Sequence, residues 1–391
     1  MEVISGTNAT LSDIFNHSWQ SFFQENTHRI RDSVVDNVNK ILQCGTGALG
    51  CSVFSCPCGQ SRSVPFTCKS RFCSRCGKVA CDNWMKKVIS WSLPNMKYRH
   101  IVFTIPEELR LLMIFHRKDG IDSLFHSSKT ALIDFFSDKF NCTPGIISIV
   151  HTFGSDIKWN PHVHVIITSG GISADKQSWI WNDFIPYAAL REAWKKALID
   201  CLRAWGKTTY SNGSHLSTFN DLLDSLAKKQ WYVNVGKVLD SLEFTIQYIG
   251  RYAKRPVMAE TRLTAFDGNL VSFSFKDKDT QKESVLSFPV FEFIGKLIRH
   301  IPDKHQRMIR YSGLFANRCK EAYLKLIHSL ISSGKQFLFS FTDNSISWRQ
   351  SISKFTGTDP LLCPRCLTVM SLTSLTFRSS SGHMKVINFS P

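Results

Sequence analysis

The chain of 391 residues has no apolar run approaching the roughly 20 uninterrupted residues that a membrane span needs. Its first residues lack the basic stretch and apolar core of a secretory signal peptide. It also has no internal repeat, no low-complexity tract and no G-x-x-x-x-G-K-[S/T] motif of the helicase type. These absences argue against a membrane protein, a secreted protein and a helicase-linked enzyme, and they predict a cytoplasmic protein.

Acidic residues are scarce relative to basic ones. The chain has 31 Asp and Glu against 48 Lys and Arg, which gives a formal net charge of +17 and a pI near 9.4. Each phosphate that Lys or Arg neutralises releases a condensed counterion, so this excess favours a polyanionic partner. Apolar content of 43% and charged content of 20% are ordinary for a globular protein. The composition predicts a folded, nucleic-acid-binding protein of two or three domains.

Hydrophobic periodicity separates a helical start from a region without regular pattern. Residues 10–43 have apolar side chains at near-helical spacing, whereas residues 44–81 are rich in Cys, Gly and Ser. Beyond them, strand patterns are found at 98–105, 146–153 and 162–168. Helical patterns are found at 187–206, at 217–229 and from Asp240 to before Pro256. A hairpin is predicted around 266–269, and a helix after Ala316.

The cysteines are concentrated near the N-terminus, where eight of the 13 lie between residues 44 and 81. In a reducing cytoplasm such clustering is more typical of metal ligands than of disulfides. The C-x-C and C-x-x-C pairs at this spacing suit a tetrahedral Zn²⁺ held by two knuckles. The preferred ligands are Cys56, Cys58, Cys73 and Cys76. The alternatives are Cys68 in place of one of these four, and Cys44, Cys51 or Cys81 in a second site.

Positive charge flanks these cysteines at Lys69, Arg71 and Arg75. This arrangement is common in DNA-contacting zinc modules and predicts phosphate contacts. Near the C-terminus, Cys363 and Cys366 form a C-P-x-C knuckle. The knuckle predicts half of a second zinc site, because no cysteine and only one histidine follow it.

A histidine pair lies in an alternating segment, PHVHVIIT, at residues 161–168. The two-residue period of a strand puts His162 and His164 on one face, and Val163 and Val165 on the other. Two imidazoles about 7 Å apart along a strand can converge on one cation while the opposite face anchors the strand in a core. The pair alone is equally compatible with structural histidines.

A tyrosine pair lies in the helical pattern that precedes Pro256. Tyr248 and Tyr252 are four residues apart, so on a helix they share a face about one turn from each other. Arg251, Lys254 and Arg255 are available beside them for phosphate contacts. Such a pair alone is more typical of packing than of catalysis.

Together, an N-terminal cysteine knuckle, a His-hydrophobic-His strand and a Tyr-x-x-x-Tyr helix in this order resemble one family. It is the two-tyrosine rolling-circle transposases of the insertion-sequence-ninety-one type, in the HUH endonuclease superfamily. Further segments look like family motifs: TCKSRFC (67–73), VFTIP (102–106), HTFG (151–154), YIGRY (248–252), RYSGL (310–314), ANR (316–318) and DPLLCPRC (359–366). The chain departs from the family pattern at the C-x-C of Cys56 and at Leu367, so the zinc ligand set stays open.

The resemblance implies an α+β fold with a central HUH-type antiparallel sheet flanked by helices. The implied domains are a helical and zinc-binding DNA-binding domain at 1–97, a catalytic domain at 98–258 and a mixed C-terminal region with a second zinc knuckle at 259–391. The implied cofactors are structural Zn²⁺ and a catalytic Mg²⁺ or Mn²⁺. The implied ligands of the catalytic cation are His162 and His164, with His151 as candidate third ligand and Glu107, Glu108 or Gln247 as alternatives.

The resemblance also implies the reaction. A tyrosine attacks a phosphodiester of single-stranded DNA at a transposon end, forming a 5′-phosphotyrosine bond and freeing a 3′-hydroxyl, so that rejoining needs no ATP. A phenol with a pKa near 10 is a poor nucleophile at neutral pH, so a cation must polarise the phosphate. The implied partner is DNA in a bacterial cytoplasm, with no membrane, and a homo-oligomer is compatible with it.

Two rival functions remain open at this point. A replication initiator or relaxase would use the same chemistry, but the cysteine-rich N-terminus and the missing helicase motif favour a transposase. A non-catalytic zinc-dependent DNA-binding protein would need the histidines and tyrosines only for structure.

Overall fold

The computed structural model describes residues 9–91, 96–210, 213–239, 242–243, 245–246, 257–277, 280–331, 349–350, 353, 357–379 and 383–389. The helices are α1 (Leu11–Asn26), α2 (Asp32–Leu42), α3 (Ser74–Ile89), α4 (Glu108–Phe115), α5 (Arg117–Phe140), α6 (Tyr187–Thr209), α7 (Gly213–Lys228), α8 (Val290–Ile298) and α9 (Lys320–Ile331). Among the described residues, none of the helices is both long enough and apolar enough to cross a bilayer.

The strands fall into four sheets. They are β1 (Gly50–Ser55), β2 (Ser61–Pro65), β3 (Tyr98–Thr104), β4 (Cys142–Thr143), β5 (Gly145–Phe153), β6 (Trp159–Thr168), β7 (Gly170–Ser173), β8 (Trp179–Trp181), β9 (Val233–Leu239), β10 (Leu263–Phe266), β11 (Leu270–Lys276), β12 (Glu283–Pro289), β13 (Ile309–Gly313), β14 (Ser371–Arg378) and β15 (Met384–Asn388). The predicted strands at 98–105, 146–153 and 162–168 are confirmed as β3, β5 and β6.

A five-stranded antiparallel sheet, in the order β13-β5-β6-β3-β9, forms the centre of the molecule and is called the central sheet below. One of its faces presents side chains such as Val163 and Val165 to an apolar core shared with α4, α5, α6 and α7. Its other face packs Ile147, Ile149 and Ile166 against α3, α9 and residues of 242–246. The predicted α+β fold, an antiparallel sheet flanked by helices, is therefore confirmed.

The N-terminal helices form a second core with the C-terminal half of the chain. Helix α1 begins with a capping box, in which the Thr10 hydroxyl accepts a hydrogen bond from the backbone N–H of Asp13 and the Asp13 carboxylate accepts one from the N–H of Thr10. Its buried side chains, including Phe15 and Phe22, pack with α2, α8 and the three-stranded sheet β10-β11-β12. Packing thus crosses the boundaries predicted at 97/98 and 258/259.

A four-stranded sheet, in the order β15-β14-β1-β2, joins the two ends of the chain. Gly50 pairs with Phe377 in this sheet and has a φ of +102°. A Cβ at this position would lie 2.1 Å from the backbone oxygen of Thr376, so only glycine allows the two strands to approach this closely.

A buried histidine fixes the C-terminal half of the chain against the central sheet. The Nδ1 of His300 accepts a hydrogen bond from the Thr152 hydroxyl at 3.0 Å, and its Nε2 donates one to the Ile157 carbonyl at 3.0 Å. Its ring also stacks on Trp159. Burial lowers the pKa of His300 to about 4, so the ring is neutral at physiological pH.

This burial predicts that the protein loses stability on mild acidification. Between pH 6.5 and 4 the unfolded chain takes up a proton at this histidine that the folded chain does not, so the free energy of unfolding falls as the pH falls. The His300 contribution is about 2 kcal/mol between pH 7.5 and pH 5. In urea denaturation, H300Q should show a correspondingly flatter pH profile.

The matched control for this experiment is H215Q, at an exposed position on α7. It should follow the wild-type profile. Parallel profiles for wild type and H300Q would show that His300 is not responsible.

Candidate active site and metal clusters

Three histidines converge on one face of the central sheet. The alternation of β6 puts His162 and His164 on that face, and the β5–β6 register pairs His151 directly with His162. Ligand nitrogens of the three rings lie within 4.8 Å of one another, a group called the histidine cluster below. The structure therefore brings together all three histidines that the sequence singled out.

The spacing within the histidine cluster fits an octahedral cation. The Nε2 atoms of His162 and His164 are 3.0 Å apart. Two ligands that each lie about 2.1 Å from an octahedral cation, at a right angle, are also separated by about 3.0 Å. Three imidazole nitrogens are a donor set that Mn²⁺ and other transition metals accept more readily than Mg²⁺ does.

Hydrogen bonds on the far sides of these rings direct the lone pairs. The Nδ1 of His162 donates to the Asn160 carbonyl at 2.7 Å, so in the neutral ring Nε2 carries the lone pair. The Nδ1 of His164 lies 2.9 Å from the Nε2 of His100. When His164 donates this hydrogen bond, its own Nε2 also presents a lone pair to the cluster.

The structure adds His100, which the sequence analysis missed. His100 lies on β3, diagonally across from His164, and the two rings lie edge to edge and nearly parallel, with centroids 5.1 Å apart and a hydrogen bond between them. It is buried, as expected of a side chain that supports a ligand from behind. The available signal was a histidine inside the predicted strand at 98–105, in phase with the alternation of that strand.

Burial also controls the charge of the cluster. The pKa of His164 lies well below its ordinary value, mainly because the ring is buried and also because His151, His162 and His100 surround it. The pKa of His100 is lowered to about 4 by burial and by His162. Uncharged imidazoles are the form that binds metal, so the site favours a cation over bound protons.

The predicted phosphate-contacting residues of the zinc region lie in different environments. Lys69 and Arg75 are exposed, whereas Arg71 is half-buried and lines a cavity together with Phe72 and His151. Burial lowers the pKa of Arg71 to about 10, so its guanidinium stays charged at neutral pH. Arg71 thus brings a positive charge from the zinc region to the edge of the histidine cluster.

The predicted nucleophiles Tyr248 and Tyr252, with the predicted phosphate contacts Arg251, Lys254 and Arg255, lie outside the described residues. Gln247, an alternative ligand candidate, also lies outside them, whereas residues 242–243 and 245–246 are described. Leu242 and Ile246 are helical and fully buried. They pack with Ile149 and Ile166, which share the sheet face of His164.

Four cysteines converge near the start of α3. Cys44 follows α2, Cys68 follows β2, Cys73 caps α3 and Cys76 lies in its first turn. This group is called the N-terminal cysteine cluster below. Its sulfurs lie 3.6 to 3.8 Å apart in the pairs 44–76, 68–76 and 44–73. A tetrahedral zinc ion with Zn–S bonds of about 2.3 Å places its sulfurs about 3.8 Å apart, so the group fits Zn²⁺.

Within this cluster the thiolate form is favoured at Cys73, whereas the pKa of the Cys44 thiol is raised by burial and that of the Cys68 thiol by its hydrogen bond to Cys73. The backbone N–H of Cys68 donates to the Cys44 sulfur at 3.3 Å. The pKa of the Cys73 thiol is lowered to about 5 by a hydrogen bond from the Cys68 thiol and by the backbone N–H groups of Cys76 and Arg75. Thiolate is the form that ligates zinc.

A second group combines both ends of the chain. Cys56 and Cys58 lie beside Cys363 and Cys366, with all four sulfurs within 4.8 Å of one another. It is called the split cysteine cluster below. Among the described residues, neither Cys51 nor Cys81 joins a cluster of this kind.

The four cysteines preferred from spacing are therefore not brought together, and the sequence interpretation is corrected. Cys56 and Cys58 occupy the turn between β1 and β2, while Cys44 and Cys68 lie at the open end of that hairpin. Strands of this length separate the two ends by about 17 Å. One zinc ion cannot bridge that distance.

Comparisons with known proteins agree with this architecture. A family model described as a putative transposase matches residues 145–322, which include the histidine cluster. A second, described as a transposase zinc-binding domain, matches residues 14–105, which include the N-terminal cysteine cluster. No solved structure matches the chain.

Two relatives carry transposase names. The transposase for insertion sequence element IS801 of Pseudomonas savastanoi pv. phaseolicola is 30% identical over 327 residues, which cover 81% of this chain and 78% of that protein. The putative transposase y4qJ of Sinorhizobium fredii is 25% identical, covering 95% of this chain and 96% of that protein. With these matches along most of its length, the chain belongs to the IS91-type family of transposases.

Proposed function

We propose that this transposase nicks and rejoins single-stranded DNA at transposon ends by tyrosine transesterification, in support of rolling-circle transposition. The observation that carries the proposal is the histidine cluster, in which the Nε2 atoms of His162 and His164 lie 3.0 Å apart on one sheet face and burial keeps the pKa of His164 well below its ordinary value. If His162 and His164 had only a structural role, a third histidine opposite them would not be needed. Nor would hydrogen bonds that point their nitrogen lone pairs toward one position.

In this proposal His151, His162 and His164 hold a divalent cation, Mn²⁺ or Mg²⁺. When bound, the cation acts as a Lewis acid on the scissile phosphate. The protein's own contribution is orientation. The Asn160 carbonyl holds His162, and His100 holds His164, so both rings are fixed before DNA binds.

Tyr248 and Tyr252 are the proposed nucleophiles. The phenol oxygen of one tyrosine forms a bond to phosphorus, the bond from phosphorus to the 3′ oxygen breaks, and the leaving 3′ oxygen takes up the proton. The phosphotyrosine bond keeps the energy of the phosphodiester, so the reverse attack by a 3′-hydroxyl rejoins the strand. Two tyrosines allow one DNA end to stay attached while a second strand is cut.

The packing of residues 242–246 supports placing these tyrosines at the histidine cluster. Leu242 and Ile246 are buried against the sheet face that carries His164. Tyr248 follows Ile246 by only two residues in the sequence, and on this ground we propose that the tyrosines act at that sheet face. Arg71, which lines the cavity beside His151, is proposed to contact the phosphate there.

The partner of this site is DNA, on which transposases act. The net charge of +17 supports tight but salt-sensitive binding to the phosphate backbone. Exposed Lys69 and Arg75 are proposed to make such contacts, since both lie on the surface of the zinc-binding region.

The first prediction from this proposal concerns the proposed metal ligands. H162A and H164A should each reduce cleavage of a single-stranded transposon-end oligonucleotide by at least about 100-fold, because the phosphate is no longer polarised. Binding of the same oligonucleotide should stay within a few-fold of wild type, because it depends on Lys and Arg. H215A on α7 is the control and should cleave normally. Wild-type cleavage by either variant would show that these histidines are not ligands.

A second prediction tests His100 without measuring cleavage. H100L should weaken Mn²⁺ binding roughly 10- to 100-fold, since His164 loses the partner that orients it. H100Q should restore most of the affinity, because its side-chain oxygen can accept the same hydrogen bond. Electron paramagnetic resonance of free Mn²⁺ measures the affinity directly. Equal affinities for wild type and H100L would exclude this positioning role.

The third prediction concerns the tyrosines. The double variant Y248F/Y252F should form no covalent protein–DNA product, whereas each single variant should still form it on a short oligonucleotide. Y187F, at an exposed tyrosine that begins α6 on the opposite side of the central sheet, is the matched control and should react as wild type. Peptide mapping of the trapped adduct identifies the nucleophile. DNA attached to any residue other than these two tyrosines would refute the proposal.

A further inference from the structure

The split cysteine cluster is drawn from segments more than 300 residues apart. The sulfurs of Cys56 and Cys366 lie 3.3 Å apart, and those of Cys58 and Cys363 lie 3.5 Å apart. Cys56 and Cys363 are buried, while Cys366 is exposed. Cys363 and Cys366 lie outside both regions that the family models match, so the matched zinc-binding domain accounts for only half of this group.

Each sulfur of the group is held by the backbone in the same way. Cys56 is hydrogen-bonded by the backbone N–H of Cys58, and Cys58 by that of Gln60. The same spacing of two residues recurs at the other end of the chain, where the N–H groups of residues 365 and 368 serve Cys363 and Cys366. Two loops that each aim two sulfurs, with N–H donors directed at them, form the knuckles of a tetrahedral metal site.

Contacts on both sides of the cluster hold the two loops in register. Strand β1 pairs with β14 from Gly50–Phe377 to Ser55–Ser371. The Ser55 hydroxyl is 2.9 Å from that of Thr373, and Arg62 donates to the Pro360 carbonyl at 2.7 Å. The paired strands therefore hold the two loops that carry the four sulfurs beside each other.

We propose that Cys56, Cys58, Cys363 and Cys366 bind a second structural Zn²⁺, which fastens the C-terminal hairpin β14–β15 to the N-terminal hairpin β1–β2. The sheet between them buries little apolar surface, since its strands are half-exposed or exposed. Metal ligation supplies the stability that such a sheet lacks. The zinc-binding region thereby includes the end of the chain.

The chemical rival is a pair of disulfides, Cys56–Cys366 and Cys58–Cys363. The arrangement favours zinc, because every sulfur lies near all three others and accepts a backbone N–H. A disulfide requires only one sulfur partner and no N–H donors.

The test is zinc stoichiometry in the full-length protein, purified under reducing conditions and measured by elemental analysis. Wild type should hold two zinc ions per chain. C363S/C366S should hold one, and C73S/C76S should hold one, because the two clusters bind independently. C319S, at a cysteine outside both clusters, is the control and should hold two. Trypsin should remove the C-terminal hairpin faster from C363S/C366S than from C319S.

A second set of measurements keeps the proposal testable if the serine variants fail to fold. C366H should retain two zinc ions, because imidazole replaces thiolate as a zinc ligand and Cys366 is exposed. In wild type, Cys56, Cys58, Cys363 and Cys366 should resist alkylation together and become reactive together when a chelator removes zinc.

Two zinc ions in C363S/C366S would overturn the proposal. So would one zinc ion in wild type with Cys363 and Cys366 freely alkylated. A protein mass, measured under reducing conditions, that is four hydrogens lighter than that of the chain with all four thiols would also overturn it, because it would indicate two disulfides. None of these measurements involves DNA cleavage, so their outcome is independent of the proposed reaction.

Discussion

The register of β5 against β6 is the constraint on which the candidate site depends. Because side chains alternate across a strand, the face that anchors Val163 and Val165 under the helices fixes His162 and His164 on the opposite face. A slip of one residue would turn the histidines into the core under α4, α5, α6 and α7 and would move the valines to the opposite face. The same apolar packing that stabilises the central sheet therefore selects which side chains meet at the site, and the metal need not organise it.

Burial makes this site receptive to a cation but not to protons. His100 and His164 are removed from water, which disfavours their charged forms and leaves lone pairs available at neutral pH. A divalent cation can bind several converging lone pairs at once, whereas a proton can be shared between only two of them. The hydrogen bond between His100 and His164 then keeps the His164 ring in one orientation. The sheet face under α4, α5, α6 and α7 thus stabilises the strands that position the histidines on the other face.

Local patterns predicted the fold well and the site in part. The alternation in residues 161–168 was sufficient to predict β6 and the shared face of His162 and His164, because both are properties of one strand. His100 was missed because its partner is on another strand, and strand order is not encoded in local periodicity. The cysteines were grouped incorrectly into zinc sites for a similar reason. Their close spacing in the sequence suggested one site, but the β1–β2 hairpin carries Cys56 and Cys58 about 17 Å away from Cys44 and Cys68.

The loop between Cys68 and Cys73 connects the zinc-binding region to the histidine cluster. The two ends of the loop are candidate zinc ligands of the N-terminal cysteine cluster. Between them, the Ser70 hydroxyl donates a hydrogen bond to the side-chain oxygen of Asn37 and accepts one from the backbone N–H of Phe72. This loop is too short and too well bonded to move independently, so the cluster determines where Arg71 lies. Since Arg71 lines the cavity beside His151, the loop that connects the cysteine ligand candidates also carries the positive charge that lies next to the histidine cluster. The zinc-binding region thus contributes side chains to the cavity beside the histidine cluster.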